Sequence, residues 1–184
     1  MEDEIKTKLK TLVNEKRYNH SLLVAEEAMK LAKVYNVDEN KAYLTGLCHD
    51  IAKDFSIEEN KKWIEKYKLD NSLLNDDYKK LIHADVGALV VKEWYSFDDE
   101  MCNAIKYHTI GNSTMTTLEK IVFIADKIGR DELSTDLLKV KDLAYKNLDE
   151  SLLLFFKEQK KYLNSTGKDL HPITKQLIKN LEQI

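Results

Sequence analysis

The chain is predicted to fold as an all-α protein. Three observations carry that prediction: one proline and five glycines interrupt 184 residues, no stretch sustains the alternation of a half-buried strand, and apolar side chains recur at i, i+3/i+4 spacing. A helix near 2–16 opens on the acidic run Met1-Glu2-Asp3-Glu4 and is amphipathic. The next, near 19–36, holds His20 in register with Val24, Ala28, Leu31 and Tyr35. Asn36-Val37-Asp38 reads as a helix–helix turn, followed by a helix near 39–53 with the pair His49-Asp50 inside it. Ser56 with Glu59 fits a capping box, in which two side chains satisfy free backbone donors, and opens a helix near 56–67. A short helix is placed near 72–79. Helices near 84–95 and 98–108 follow; His83 is in register with Val86, Gly87, Val90 and Trp94, and His108 with Met101, Ala104 and Ile105. From His108 to Ser113 the chain reads as a loop in which Gly111 supplies a positive φ. Thr116 with Glu119 is a second capping box, opening a helix near 117–129 whose apolar face holds Leu118, Val122, Ala125, Asp126 and Gly129. Helices near 135–147, 149–164 and 173–183 form a charged, leucine-rich tail expected to pack as support. His171-Pro172 reads as a surface or capping pair before the last helix.

Composition narrows the function classes. Hydrophobic residues make up 43% and charged residues 33%, and the length suits one sizeable core, so residues 1–184 are expected to form one domain. A formal net charge of -3 gives no strongly basic surface. No long nucleic-acid partner is therefore expected, although a local Lys/Arg cluster can hold a few phosphates. The acidic start lacks the basic and apolar segments of a signal peptide, and no apolar run approaches the roughly 18 residues of a membrane span. The cytoplasm is the expected location, with no membrane partner. Cys48 and Cys102 offer no disulfide framework and read as reduced core thiols. Nothing in the sequence specifies an oligomeric state.

Six polar residues stand out: His20, His49, Asp50, His83, His108 and Asp126. Each falls on the apolar stripe of its helix, where a polar group buried without a partner costs about 1–3 kcal/mol. Four of the five histidines belong to the set, and their joint placement points to a pair of cations that satisfies all six. Imidazole and carboxylate ligands without thiolates suit iron, manganese, cobalt or zinc. Asp50 follows His49 by about 100° around a helix, so the two neighbours can address two metals, with the Asp50 carboxylate bridging them. Two divalent ions against two aspartates leave surplus positive charge, which attracts phosphate. Metals about 3.5–4 Å apart can activate a shared water and polarise a phosphoryl oxygen together, the chemistry of phosphoester or phosphoanhydride hydrolysis. Lys53, one turn beyond His49, is the first candidate for a phosphate contact.

These residues carry a resemblance. Arg17-Tyr18-Asn19-His20-Ser21, Gly46-Leu47-Cys48-His49-Asp50-Ile51-Ala52-Lys53-Asp54, Leu81-Ile82-His83-Ala84-Asp85-Val86-Gly87-Ala88, Ala104-Ile105-Lys106-Tyr107-His108-Thr109-Ile110-Gly111 and Leu118-Glu119-Lys120-Ile121-Val122-Phe123-Ile124-Ala125-Asp126 resemble the HD-domain phosphohydrolases, specifically the YqeK family of symmetrical diadenosine tetraphosphate hydrolases. The resemblance implies an HD-domain helical fold with its core at about 17–130 and a C-terminal helical extension. It also implies a di-iron centre and cleavage of diadenosine tetraphosphate, a small dinucleoside polyphosphate, to two ADP by a metal-bound hydroxide. Carried over by position, the six residues are the metal ligands, with Asp50 and Lys53 in catalysis and Lys53, Thr109, Gly111 and Arg130 near phosphate or nucleotide. Thr109 and Gly111 equally suit an ordinary turn after His108, and Arg17 reads as a solvated helix-start arginine in preference to a phosphate contact. After Asp126 the chain departs from the family's Tyr-Ile-Glu-Pro-like continuation with Lys127-Ile128-Gly129-Arg130-Asp131. Two other classes share the ligand set: a nucleotide-binding regulatory module with little turnover, and a di-iron oxygenase, which oxygen consumption would reveal.

Overall fold

The computed structural model of the protein describes residues 1–74 and 80–183. Among these the secondary structure is helical throughout, with no strand. The α-helices are α1 (Glu2–Leu12), α2 (Glu15–Val34), α3 (Glu39–Cys48), α4 (Ile57–Tyr67), α5 (Ile82–Tyr95), α6 (Asp99–Tyr107), α7 (Thr117–Ile128), α8 (Thr135–Ala144), α9 (Leu148–Ser165) and α10 (Pro172–Leu181). In place of the short helix expected near 72–79, a 3₁₀ turn spans Asn71–Leu74, and residues 75–79 lie outside the described residues. No helix among the described residues is long and apolar enough to cross a membrane.

Local chemistry sets most helix starts. Both capping boxes form: Ser56 and Glu59 open α4, and Thr116 and Glu119 open α7. Asn14, Asp38 and Asp98 each accept a backbone N–H at the start of α2, α3 and α6, satisfying donors that a first helical turn leaves free. Asn36 takes a φ of 53° between α2 and α3, as the turn reading requires. His171 accepts from the Ile173 amide and caps α10.

Helix α7 is the central element. It packs against α2, α3, α6, α8 and α9, and Leu118, Ile121 through Ala125 and Ile128 are fully buried, the mark of a helix surrounded on most sides. Helices α2 and α3 approach so closely that a Cβ on Gly46 would lie 3.1 Å from the Ala25 Cα and 3.1 Å from the Val24 carbonyl oxygen. That contact sets the end of α3 beside α2. One continuous cluster of buried apolar residues runs from Ile5 to Leu181. Cys48 and Cys102 are buried free thiols, and burial pushes both above the usual thiol range.

Candidate metal centre

Each candidate ligand is set by the element that carries it. His20 lies in α2, His83 in α5 and Asp126 near the end of α7. The helix expected over 39–53 ends earlier, at Cys48, and His49 is its C-cap. The chain continues through tight turns, with amides of Ile51 and Lys53 donating to carbonyls of Cys48 and Asp50 three residues back. His49-Asp50 therefore stands at a helix end and not inside a helix. His108 likewise caps the end of α6.

The six side chains converge. The Asp126 Oδ1 lies 3.0 Å from His20 Nε2 and 3.5 Å from His49 Nε2. The Asp50 Oδ1 lies 3.2 Å from His83 Nε2 and 3.6 Å from His108 Nε2, and the two imidazole nitrogens are 3.3 Å apart. His20, His49 and Asp126 form one group whose ligand atoms can share a cation; His49, Asp50 and His108 form a second. His49, His83 and His108 are almost wholly inaccessible. Their ring orientation is fixed from behind: His49 Nδ1 donates to the Gly46 carbonyl at 2.7 Å and His108 Nδ1 to the Ile105 carbonyl at 2.6 Å. A carbonyl only accepts, so Nδ1 carries the proton and Nε2 presents its lone pair to the shared space. The residues fit a metal on a further count. His49 Nε2 and Asp50 Oδ1 are buried without a hydrogen bond, a costly state that a bound cation removes.

Charges around the centre oppose burial. Burial works to raise the Asp50 carboxyl, but His49 and the other histidines outweigh it and hold Asp50 far below the usual carboxylate range. Asp126 is likewise low, burial being overcome by Lys127, His20 and His49. Burial pushes His83 down to about 4 and lowers His108, leaving both neutral near neutral pH. For His49, burial favours the neutral ring, yet Asp50 and Asp126 draw its pKa upward.

A cleft of about 1210 Å³ opens over the centre, with Arg17, Lys53, Thr109, Lys127 and Arg130 on its walls. Lys53 Nζ is 2.9 Å from His83 Nε2 and 3.6 Å from Asp50 Oδ1, and burial lowers its pKa. Thr109 and Arg130 thus lie where a ligand of the centre can reach them. Gly111 does not: its φ of 75° is as expected, but the residue is packed under α10, where an added Cβ would lie 2.5 Å from Leu177 Cδ2. Its role is in packing. Arg17, partly exposed, is also an ion-pair partner: it donates to Asp50 Oδ2 at 3.0 Å and to Asp54 Oδ1 at 3.1 Å. Lys127, missed in the sequence, donates to Asp126 Oδ2 at 2.6 Å and to the His108 carbonyl at 3.3 Å. Its only signal is adjacency to Asp126.

The chain is similar to known proteins. The HD domain profile matches residues 17–131. The symmetrical bis(5'-nucleosyl)-tetraphosphatase of Staphylococcus aureus is 37% identical over 153 residues, 82% of this chain and 78% of that protein. The Bacillus subtilis protein of the same name is 34% identical over 167 residues, 90% of this chain and 89% of its own. A crystal structure from Clostridium acetobutylicum, described as a predicted HD superfamily hydrolase involved in NAD metabolism, superposes with a TM-score of 0.89 at 32% identity, covering 100% of this chain and 97% of that one. The ligand cluster, the profile and relatives matched over most of their length agree: the chain belongs to the HD-domain family, in its symmetrical bis(5'-nucleosyl)-tetraphosphatase branch.

Proposed function

We infer that the protein hydrolyses diadenosine tetraphosphate symmetrically, releasing two ADP, and that its 184 residues act as one folded unit. The observation that carries the reading is a six-residue His/Asp cluster, with His49 Nε2 and Asp50 Oδ1 buried without a hydrogen bond, under a wide cleft lined by charges of both signs. His20, His49 and Asp126 would hold one divalent cation, and Asp50, His83 and His108 a second, with His49 and Asp50 near both. Iron is the proposed metal, with manganese, cobalt and zinc compatible with the same ligands. Divalent ions here supply water activation at neutral pH and Lewis-acid polarisation of a phosphoryl oxygen.

The chain's own residues do the rest. Arg17 and Lys53 compensate the Asp50 carboxylate; with a cation held by Asp50, both would be free to meet phosphate oxygens in the cleft. Lys53 is placed to offset charge on the phosphoryl oxygens as it develops, an interaction that gains strength in a partly dehydrated site. Thr109 and Arg130 line the same cleft and are proposed to orient the nucleotide. No side-chain base is needed beyond the centre itself.

The test is anaerobic metal reconstitution followed by a nucleotide panel with product identification, comparing wild type with Asp50→Ala and Lys53→Ala. Two ADP per diadenosine tetraphosphate from wild type are expected, with Asp50→Ala inactive and Lys53→Ala losing roughly two orders of magnitude in kcat/KM. Metal-replete wild type that releases no product across the panel overturns the reading.

A further inference from the structure

A second cavity, of about 490 Å³, lies on the other side of Lys53 from the large cleft. Lys53 lines both cavities, and His83, a candidate ligand, lines the smaller one. Its volume falls within the roughly 300–1,000 Å³ typical of small-molecule sites. Among the described residues its walls are mainly apolar, including Phe55, Ile57, Leu73 and Leu74, with Lys80 as a further cation. Besides Lys53, Lys80 and His83, one amide side chain belongs to the wall. Asn60 is 6% exposed, and its Nδ2 donates to two carbonyls, of Phe55 at 3.2 Å and Ser56 at 3.0 Å. Two acceptors on one side fix the amide orientation, so Oδ1 is the other end; it is buried with no hydrogen-bond partner. That oxygen is sealed from solvent, so it lies behind the surface of the pocket, and leaving it unmet costs stability.

We propose that this pocket receives the base of one nucleoside of a dinucleoside polyphosphate, while the other nucleoside lies in the large cleft and the phosphate chain crosses Lys53 between them. An apolar slot flanked by Lys53 and Lys80 matches a flat base tethered to a polyanion. The apolar walls do not suit a free phosphate. The proposal rests on the hydrolase reading and extends it: symmetrical cleavage requires a nucleoside on each side of the bond broken, and the two cavities supply two places. It also assigns a specificity role to α4 and the 3₁₀ turn, which hold none of the six candidate ligands.

Two measurements test it on the metal-loaded protein. A diadenosine tetraphosphate analogue with a methylene bridge at the central position and 2-azidoadenine at both ends is photo-crosslinked and the labelled peptides are mapped. Labels are expected both at the cleft and in the segments around Phe55–Asn60 and Leu73–Leu74; labels confined to the cleft overturn the proposal. Ile57 is 55% exposed, so Ile57→Trp narrows the pocket without disturbing the core. It should raise KM for diadenosine tetraphosphate roughly tenfold with kcat changed by less than about twofold, the pattern of lost uniform binding; an unchanged KM also overturns it. If wild type hydrolyses diadenosine tetraphosphate but the pocket is neither labelled nor sensitive to Trp, the second subsite alone fails. If wild type does not hydrolyse it, the hydrolase reading fails and the subsite with it.

Discussion

Lys127 shows how a cation can help build a site for other cations. By engaging Asp126 Oδ2 at 2.6 Å it leaves Oδ1 to face His20 and His49, and by donating to the His108 carbonyl it ties the ends of α6 and α7 together. Lys127→Met is expected to weaken Mn²⁺ binding roughly 10–100-fold, the usual effect of losing a group that orients a ligand. Calorimetric titration would show it, and far-UV circular dichroism would show the fold unchanged; an unaltered affinity contradicts the assignment. Gly111→Ala should cost about 1–3 kcal/mol, because the substitution keeps a positive φ and drives a methyl into Leu177. Urea unfolding checks it. All six clustering residues were legible in the sequence because each is a polar group breaking an apolar stripe, a local signal. Lys127 and Arg17 were not, since their meaning depends on partners fixed by tertiary contact: Arg17 finds Asp50 and Asp54 across 33 and 37 residues. Gly111 was legible as a backbone conformation, while its place under α10 was not, because the sequence does not say which helix will cover it.

At the scale of elements, helix starts were more legible than helix ends. Ser56, Thr116 and the Asx caps announce a start by chemistry within four residues. The end of α3 has no such marker: apolar spacing continues through Ile51 and Ala52, both buried, while the backbone has already changed to i→i+3 bonds. The His49 side chain, bonded back to Gly46, marks the stop. Helix α6 carries His108 at its end and depends on Asp98 at its start. Burial tends to raise the Asp98 carboxyl, but Lys41 and the Met101 amide outweigh it and bring it below its ordinary 3.8. A depressed folded-state pKa means the carboxylate's contribution is complete above the unfolded value and disappears as pH falls through the lower one. Asp98→Ala should therefore lose about 1 kcal/mol at pH 7. The gap to wild type should close as the solution is acidified through and below the ordinary aspartate range, which urea midpoints across a pH series would follow.

Across the whole molecule, the C-terminal helices do more than cover the core. Helix α10 grips the loop after His108 through Thr174 Oγ1 to the Ile110 carbonyl and Asn180 Nδ2 to the Ser113 carbonyl, each at 2.7 Å, with Leu177 seated on Gly111. The support expected of the tail thus reaches a cleft wall. Leu177 is 1% exposed, and Leu177→Ala should cost about 2–5 kcal/mol, lowering the melting temperature by about 2–4 °C for each kcal/mol. Differential scanning calorimetry would measure the loss, and a variant that melts like wild type would show that the grip contributes nothing. The ends of α3 and α6 have a last consequence. Helix C-termini carry partial negative charge, and both terminate at this centre, at His49 and His108, beside two ionised aspartates. The backbone thus adds negative potential at the floor of the cleft, where Arg17, Lys53 and Lys127 already offset the two carboxylates. A divalent cation would therefore be favoured at this spot by two backbone dipoles in addition to the side chains.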